Sequence, residues 1–330
     1  MSNTRVLFVG GTGLISSACV REAVRQGMEV TLLNRGSAGT RSVPSNVEIL
    51  HADVRSKASV RAALGERTFD VIAQFVGFTR GHVETDIELF TGRCGQYLFI
   101  STAAAYETPP SRLPIRESTP LRNGFWKYAQ DKIECETALV AAWRETGFPV
   151  TIVRPSHTYD RRQVPTTGGW TDLARMRRGA PVLVHGDGTT QWTITHSSDF
   201  ARGFTGLIGR SELVGDCFHI TSDEAPTWNQ IYTWLGRAVG VEPTLVHVAS
   251  DTIARVVPEL APGILGDKVN CAVFDNTKIK GAVPNYRAEV PFIRGAAEIV
   301  AWYMESAGRQ VVDDRLDAAF DRLVGVAAAF

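Results

Sequence analysis

The chain has 330 residues, of which 44% are hydrophobic and 21% charged, a composition typical of a globular protein rather than a disordered one. Lys and Arg together number 35, as do Asp and Glu, so the formal net charge is zero. This balance gives no reason to expect nucleic acid or an acidic membrane surface as a partner. The five cysteines are scattered and never form a Cys-x-x-Cys motif, which predicts free thiols and no metal site.

The start of the chain does not resemble a secretory signal, because the first residues lead directly into a strand-length apolar run that ends in glycines. No apolar run approaches the roughly 20 residues that a membrane-spanning helix requires. We therefore expect a cytoplasmic protein with no membrane partner.

Strand-like and helix-like segments alternate along the first half of the chain. Apolar runs of strand length occupy 5–9, 29–33, 47–51, 71–76, 97–101 and 150–154. Helical patterns lie between most of them, at 14–26, 57–64, 81–93 and 126–145. The alternation predicts an α/β fold with a Rossmann-like, doubly wound parallel sheet covered by helices. Ligands of such sheets bind beyond the carboxyl ends of the strands.

The alternation breaks down after residue 155, where Gly- and Pro-rich stretches separate shorter elements. We expect residues 1–155 to form a dinucleotide-binding Rossmann domain, with 190–220 as the candidate segment for returning to it. Residues 156–330 are expected to form mainly a smaller C-terminal α/β lobe that binds the substrate.

A glycine turn, Gly10-Gly11-Thr12-Gly13, separates the first predicted strand from the first predicted helix. In this position the backbone can approach a pyrophosphate, and the helix N-terminus offers free N–H groups to an anion. The spacing places Ser16 where a third glycine is usual. Its side chain either holds the helix slightly farther from the strand or reaches toward the phosphates. The alternative interpretation is an ordinary tight turn.

The ends of the second and third strands concern the adenosine half of a dinucleotide. An acidic residue after the second strand would favour NAD, whereas this chain has Asn34 and Arg35, and arginine suits the 2′-phosphate of NADP. We therefore expect NADP, with NAD as the alternative. After the third strand, Asp53 is placed either to accept from the adenine amino group or to cap a helix.

Three polar residues are placed for chemistry. Thr102 ends the fifth strand, and Tyr128 and Lys132 lie four residues apart on one face of a predicted helix. A phenol is a poor base at neutral pH, since its ordinary pKa is about 10. A neighbouring ammonium would lower that pKa, so Tyr128 could exchange a proton with a substrate hydroxyl while a hydride moves.

Together these segments resemble the extended short-chain dehydrogenase/reductase family, of the NAD-dependent epimerase/dehydratase type. Residues 9–15 resemble its cofactor loop, and 97–106 resemble its active-site strand with the catalytic hydroxyl at Thr102. Tyr128 and Lys132 match its Tyr-x-x-x-Lys motif, Arg154-Pro155 its Arg-Pro pair, and 196–199 its His-x-x-Asp motif. The resemblance implies hydride transfer, with Thr102 and Tyr128 on the substrate oxygen. The expected cofactor-binding residues are Gly10, Thr12, Gly13, Leu14, Ile15, Asn34, Arg35, Asp53, Val54, Phe75, Val76 and Pro155.

Departures from the family pattern narrow the expected substrate. Ala103 and Ala104 replace the Asp-Glu pair of the 4,6-dehydratases, so that dehydration mechanism is not expected. His157 and Trp192 stand where many sugar-nucleotide enzymes carry an Asn and a diphosphate-binding Arg. We expect these four residues to bind the substrate, a sugar-like or cyclic ketone or alcohol. His157 is also weighed as an additional acid or base, because histidine titrates near neutral pH.

Several alternatives stay open. An epimerase and a simple NADPH-dependent ketoreductase of a biosynthetic intermediate share the same residues, since both oxidise or reduce one carbinol. A non-catalytic relative that binds RNA or protein is the remaining alternative, against which the set Thr102, Tyr128 and Lys132 argues. The family resemblance also implies a homodimer formed by helices at about 83–93 and 126–145.

Overall fold

The computed structural model describes residues 4–36 and 41–327. The strands are β1 (Arg5–Val9), β2 (Glu29–Asn34), β3 (Glu48–His51), β4 (Phe69–Gln74), β5 (Cys94–Ile100), β6 (Val150–Pro155), β7 (His157–Tyr159), β8 (Val182–His185), β9 (Ile194–His196), β10 (Cys217–Ile220) and β11 (Leu245–Val248). The helices are α1 (Leu14–Arg25), α2 (Lys57–Leu64), α3 (Arg80–Phe90), α4 (Lys127–Thr146), α5 (Trp170–Arg177), α6 (Ser197–Thr205), α7 (Trp228–Ala238), α8 (Ser250–Val256), the single turn α9 (Ala261–Gly263), α10 (Thr277–Ala282), α11 (Phe292–Met304) and α12 (Asp314–Ala327).

The main sheet has seven parallel strands in the order β10-β6-β5-β4-β1-β2-β3. Its central strands are apolar on both faces because helices cover both. In β1, Val6 and Phe8 join the cluster beneath α1 and α6, whereas Leu7 and Val9 join the cluster beneath α2, α3 and α4. The predicted Rossmann-like fold is confirmed.

The order of the strands places a switch point between β1 and β4. The chain leaves β1 toward β2 on one side and reaches β4 on the other side, so a crevice opens at the carboxyl ends of these two strands. The glycine turn follows β1 at this crevice, which is therefore where a ligand is expected.

The second half of the chain both extends the sheet and adds a smaller layer. β10 pairs with β6 at the edge of the main sheet, and α6 packs against α1. The remaining strands form two two-stranded sheets, β8 with β11 and β7 with β9. A third apolar cluster, which includes Trp192, Trp228 and Phe292, holds this part together. The boundary at residue 155 stays a prediction.

Three predicted elements differ from the observed ones by more than one residue, and one is the fifth strand, which occupies Cys94–Ile100 and ends before Thr102. The third helix ends at Phe90 rather than at residue 93, because Gly92 takes a left-handed conformation with φ of 74°. The fourth strand occupies Phe69–Gln74, so Val76 lies beyond its end. None of the described helices has the length and apolar character that a membrane crossing requires.

Candidate active site

A cavity of about 510 Å³ opens at the carboxyl ends of β1, β2 and β4. Every predicted cofactor-binding residue except Pro155 lines this cavity. Its lining is formed by Gly10, Thr12, Gly13, Leu14, Ile15, Ser16, Leu33, Asn34, Arg35, Asp53, Val54, Arg55, Phe75, Val76 and Phe78. We call it the dinucleotide cavity.

The glycine turn fits closely against the sheet at the floor of this cavity. Gly10 has φ of 87°, and a Cβ there would lie 2.5 Å from Val76 Cγ1. Gly13 precedes the first turn of α1 and has no side chain to cap it. The Ser16 hydroxyl accepts a hydrogen bond from the Gly13 N–H at 2.8 Å. Ser16 therefore stabilises the turn itself.

The residues after β2 and β3 hold the turn and line the adenosine end. Asn34 Oδ1 accepts from the Gly11 N–H at 3.2 Å, so this side chain already supports the glycine turn. Arg35 is exposed at the cavity. Asp53 Oδ1 accepts from the backbone N–H of Arg55 at 2.9 Å, while Ser56 caps α2.

Arg55 is a second arginine in the dinucleotide cavity and was not predicted from the sequence. Its guanidinium donates to the Val76 carbonyl at 2.7 Å. Burial lowers the pKa of Arg55, and the nearby Arg35 charge acts in the same direction. The signal available from sequence was its place two residues after Asp53, at the carboxyl end of β3.

A second cavity, of about 460 Å³, adjoins the first and shares Leu14, Ile15, Phe75 and Phe78 with it. We call it the substrate cavity. It brings together all the predicted catalytic and substrate-binding residues, along with Pro155. These residues are Thr102, Ala103, Ala104, Tyr128, Lys132, Pro155, His157 and Trp192.

Lys132 is buried in the wall of the substrate cavity, with 1% of its surface exposed. Its Nζ donates to the Gly77 carbonyl at 2.6 Å and to the Ile100 carbonyl at 2.7 Å. It also lies 4.7 Å from the centre of the Phe99 ring. Burial lowers the pKa of Lys132 to about 8.

Tyr128 lies one helical turn before Lys132, whose Nζ is 6.0 Å from the centre of the phenol ring. Burial raises the pKa of Tyr128, and a hydrogen bond with Thr102 acts in the opposite direction. Desolvation dominates the pKa of Tyr128, and the Lys132 ammonium donates to two backbone carbonyls. A lowering of this pKa by Lys132 stays a prediction.

The segment after β5 has no carboxylate at the positions that the dehydratase pattern requires. Ala103 and Ala104 form a short 3-10 turn that Thr102 caps, with its Oγ1 accepting from the Ala104 N–H at 3.2 Å. Methyl side chains transfer no protons. These two residues therefore contribute shape to the substrate cavity and no acid or base.

His157 and Trp192 lie in contact on the wall of the substrate cavity, with their ring centres 4.5 Å apart. Burial lowers the pKa of His157 to about 3, and the Lys268 ammonium acts in the same direction. The imidazole is therefore neutral at pH 7 and is not suited to act as an acid or base there. His157 Nε2 is buried and has no hydrogen-bond partner.

A segment that was not predicted from the sequence lines one side of the substrate cavity. Residues 264–268 form a π-helical turn, and the chain then runs past Trp192, where the Thr193 N–H donates to the Ala272 carbonyl at 3.0 Å. This segment contributes Asp267, Asn270, Cys271, Ala272 and Phe274 to the lining. No periodic pattern or motif marked it in the sequence.

Two family motifs have structural roles. The Arg154 guanidinium forms a buried ion pair with Glu136, at 2.9 and 2.6 Å, so only Pro155 of the Arg-Pro pair lines the cavity. In the His-x-x-Asp motif, His196 caps α6 and Asp199 accepts from the Val290 N–H at 3.0 Å. Across the described ranges, no three His, Cys, Asp or Glu side chains are grouped so that they could hold a metal ion.

Comparison with known families gives a match over most of the chain. The model of the NAD dependent epimerase/dehydratase family matches residues 6–216. The 2'-dehydrokanamycin reductase of Streptomyces kanamyceticus is 23% identical to this chain, over 98% of this chain and 91% of that protein.

Two further comparisons widen the range of functions among similar proteins. The chloroplast stem-loop binding protein of 41 kDa b from Arabidopsis thaliana is 25% identical over 74% of this chain, but the match covers only 66% of that protein. The solved structure of a dTDP-glucose 4,6-dehydratase from Streptomyces venezuelae, with NAD bound, superposes with a TM-score of 0.75. It is 22% identical and covers 92% of this chain and 98% of that one, which establishes the shared fold.

Proposed function

Because the chain belongs to the NAD-dependent epimerase/dehydratase family, we propose that it is an NADP-preferring oxidoreductase of a sugar-like or cyclic ketone or alcohol. The observation that carries this proposal is the meeting of Thr102, Tyr128 and Lys132 in a cavity that adjoins the glycine turn. A bound nicotinamide nucleotide would exchange a hydride with one carbon of the substrate.

The dinucleotide cavity fits such a cofactor. Its floor is a turn where a Cβ on Gly10 would collide with Val76, so only glycine leaves the backbone open there. The N-terminus of α1 at Leu14 faces this turn and favours a pyrophosphate. Asn34, Arg35, Asp53 and Val54 would hold the adenosine end.

Arg35 and Arg55 support NADP over NAD. Both line the end of the dinucleotide cavity beyond β2 and β3, and their charges influence each other. Asn34 provides no carboxylate after β2, so a 2′-phosphate would meet the guanidinium groups of Arg35 and Arg55, with Asp53 as the one acid that lines this end of the cavity. NAD remains the alternative cofactor.

Proton transfer in the substrate cavity is assigned to Tyr128. A raised pKa keeps the phenol protonated at neutral pH, which is the form that donates a proton to a carbonyl oxygen. Thr102 would hold the same oxygen, and Lys132 would fix the geometry through the Gly77 and Ile100 carbonyls. Hydride transfer at one carbinol carbon is therefore the proposed reaction, and both reduction of a ketone and epimerisation use it.

RNA binding, which the name of the Arabidopsis relative suggests for that protein, is less supported here, since the chain has zero net charge.

We also propose that the substrate is a small molecule and that two chains form a homodimer through α3 and α4.

The proposal is tested by the variant Tyr128→Phe, which removes one hydroxyl from the substrate cavity. NADPH oxidation is followed by absorbance with a panel of cyclic ketones and keto-sugars. We expect turnover to fall by at least about 100-fold, while NADPH still binds. Tyr303→Phe, which removes a hydroxyl bonded to the Arg162 carbonyl, serves as the control. Near-normal turnover of Tyr128→Phe would refute the mechanism.

A further inference from the structure

The charged groups around the substrate cavity do not suit a phosphorylated ligand. Lys132 supplies the only ammonium or guanidinium among the described lining residues, and its Nζ is held by two backbone carbonyls. The other ionic groups of the lining are the carboxylates of Glu107 and Asp267. A diphosphate needs several cationic donors, whereas this cavity presents two acids.

Asp267 lines the substrate cavity, and its carboxylate has one cationic neighbour, which is not in close contact with it. The Trp192 indole hydrogen-bonds its carboxylate, and Lys268 Nζ lies 3.8 Å away. The Lys268 ammonium also lies 5.1 Å from the centre of a Trp192 ring. Burial raises the pKa of Asp267 more than these contacts lower it. A further cation beside this carboxylate would therefore be stabilised.

Glu107 differs from Asp267 because its carboxylate forms a close ion pair with an arginine outside the cavity. Its carboxylate pairs with Arg122 at 2.8 Å, and the Arg122 side chain is 70% exposed. Asp267 is therefore the better placed acid for a ligand.

Two uncharged polar atoms in the same cavity lack partners. Ser101 Oγ and His157 Nε2 are buried without a hydrogen bond, and Ser101 is only 1% exposed. Buried polar groups are nearly always satisfied in native proteins, by protein, water or ligand. The neutral imidazole of His157 and the Ser101 hydroxyl suit hydroxyl groups of a ligand, since each can donate or accept.

We propose that the substrate is a polyhydroxylated ring that carries a free amino group and no phosphate. Its ammonium would lie against the Asp267 carboxylate, and its hydroxyls would bond His157 Nε2 and Ser101 Oγ. The inference rests on the proposed function, because it names the substrate class of that same site.

The test is a calorimetric titration of the full-length protein with three probes in the presence of NADP. The probes are 2-deoxystreptamine, which is an amine-bearing cyclitol, myo-inositol, which lacks the amine, and UDP-glucose, which carries a diphosphate. We expect 2-deoxystreptamine to bind at least about tenfold more tightly than either of the others. Equal affinities, or tighter binding of UDP-glucose, would overturn the proposal.

Two isosteric variants assign the selectivity to one carboxylate. Asp267→Asn should weaken 2-deoxystreptamine by about tenfold or more and leave myo-inositol within about twofold, whereas the exposed Asp251→Asn should change neither. Unchanged binding of the amine to Asp267→Asn would refute the assignment. NADPH titration confirms that each variant is folded. Because these readouts are binding constants, they stay separate from the proposed hydride transfer, which the Tyr128→Phe experiment tests.

Discussion

At the scale of single residues, burial acts in opposite directions on the pKa values of Tyr128 and Lys132. It raises the pKa of the phenol and lowers that of the ammonium to about 8. Both effects favour the uncharged form, because a poorly solvated site penalises charge. The position of these residues was predictable from the Tyr-x-x-x-Lys spacing, but the direction of the tyrosine pKa shift was not. It depends on desolvation, which the sequence does not reveal.

The lowered pKa of Lys132 predicts how the free energy of unfolding depends on pH. The folded-state pKa of about 8 lies below the unfolded value of about 10.4, so the unfolded chain binds more protons between these pH values. Stability relative to a variant without this amine must therefore increase as the pH rises through that window. From pH 7 to 9.5 we expect wild type to gain about 2 kcal/mol relative to Lys132→Met.

Urea unfolding at both pH values measures this difference. Lys127→Met, on the same helix but with a side chain that is 73% exposed, is the matched control and should show no such change. A difference between wild type and Lys132→Met that stays constant or moves the other way would contradict the assignment of the pKa shift to burial.

The preference for NADP over NAD is expected to depend on Arg35. Arg35→Ala should raise the dissociation constant of NADPH by about tenfold or more, because one charged contact to the 2′-phosphate is lost. The NADH constant should change by less than about threefold. Fluorescence titration measures both, with Arg61→Ala as a control, since Arg61 pairs with Glu88 outside the cavities. Equal weakening of the two cofactors would count against NADP.

At the scale of elements, the sequence predicted the first half better than the second. The strands and helices up to β6 follow clear periodicities, and a glycine turn marks the site. The segment 264–274 was missed because it consists of a π-helical turn and single bridges, such as that between Trp192 and Ala272. Its place over the substrate cavity is decided by long-range packing, which no local pattern records.

We predict that α3 and α4 form the interface of a homodimer. Neither helix carries any of the large, exposed apolar side chains found elsewhere on the described surface. We therefore expect a dimer with a largely polar interface, with twice the chain mass of 36.0 kDa in sedimentation at micromolar concentration. Thr137→Arg, on the exposed side of α4, should shift it to single chains, whereas Ile293→Arg on α11 should not. A single-chain mass for the wild-type protein would disprove the dimer.

At the scale of the whole molecule, the fold places two adjoining cavities at the carboxyl ends of the strands of the main sheet. The dinucleotide cavity is formed by residues at or after the carboxyl ends of β1, β2, β3 and β4, and all of them lie in the first 80 residues. The substrate cavity combines β5 and α4 with the segments around His157, Trp192 and Asp267. The two cavities share lining residues, which include Ile15 and Phe78. A cofactor in one cavity and a substrate in the other would therefore meet beside these residues.

The most direct measurement of the central claim is the transfer of deuterium from NADPH labelled at C4 to a ring carbon of a cyclic ketone. The products formed by wild type and by Tyr128→Phe are compared by mass spectrometry under single-turnover conditions. We predict that wild type places one deuterium on the former carbonyl carbon and that the variant loses at least about 99% of this rate. A protein that binds NADPH but transfers no label to any ketone of the panel would contradict the account, as would a Tyr128→Phe variant that transfers label at the wild-type rate.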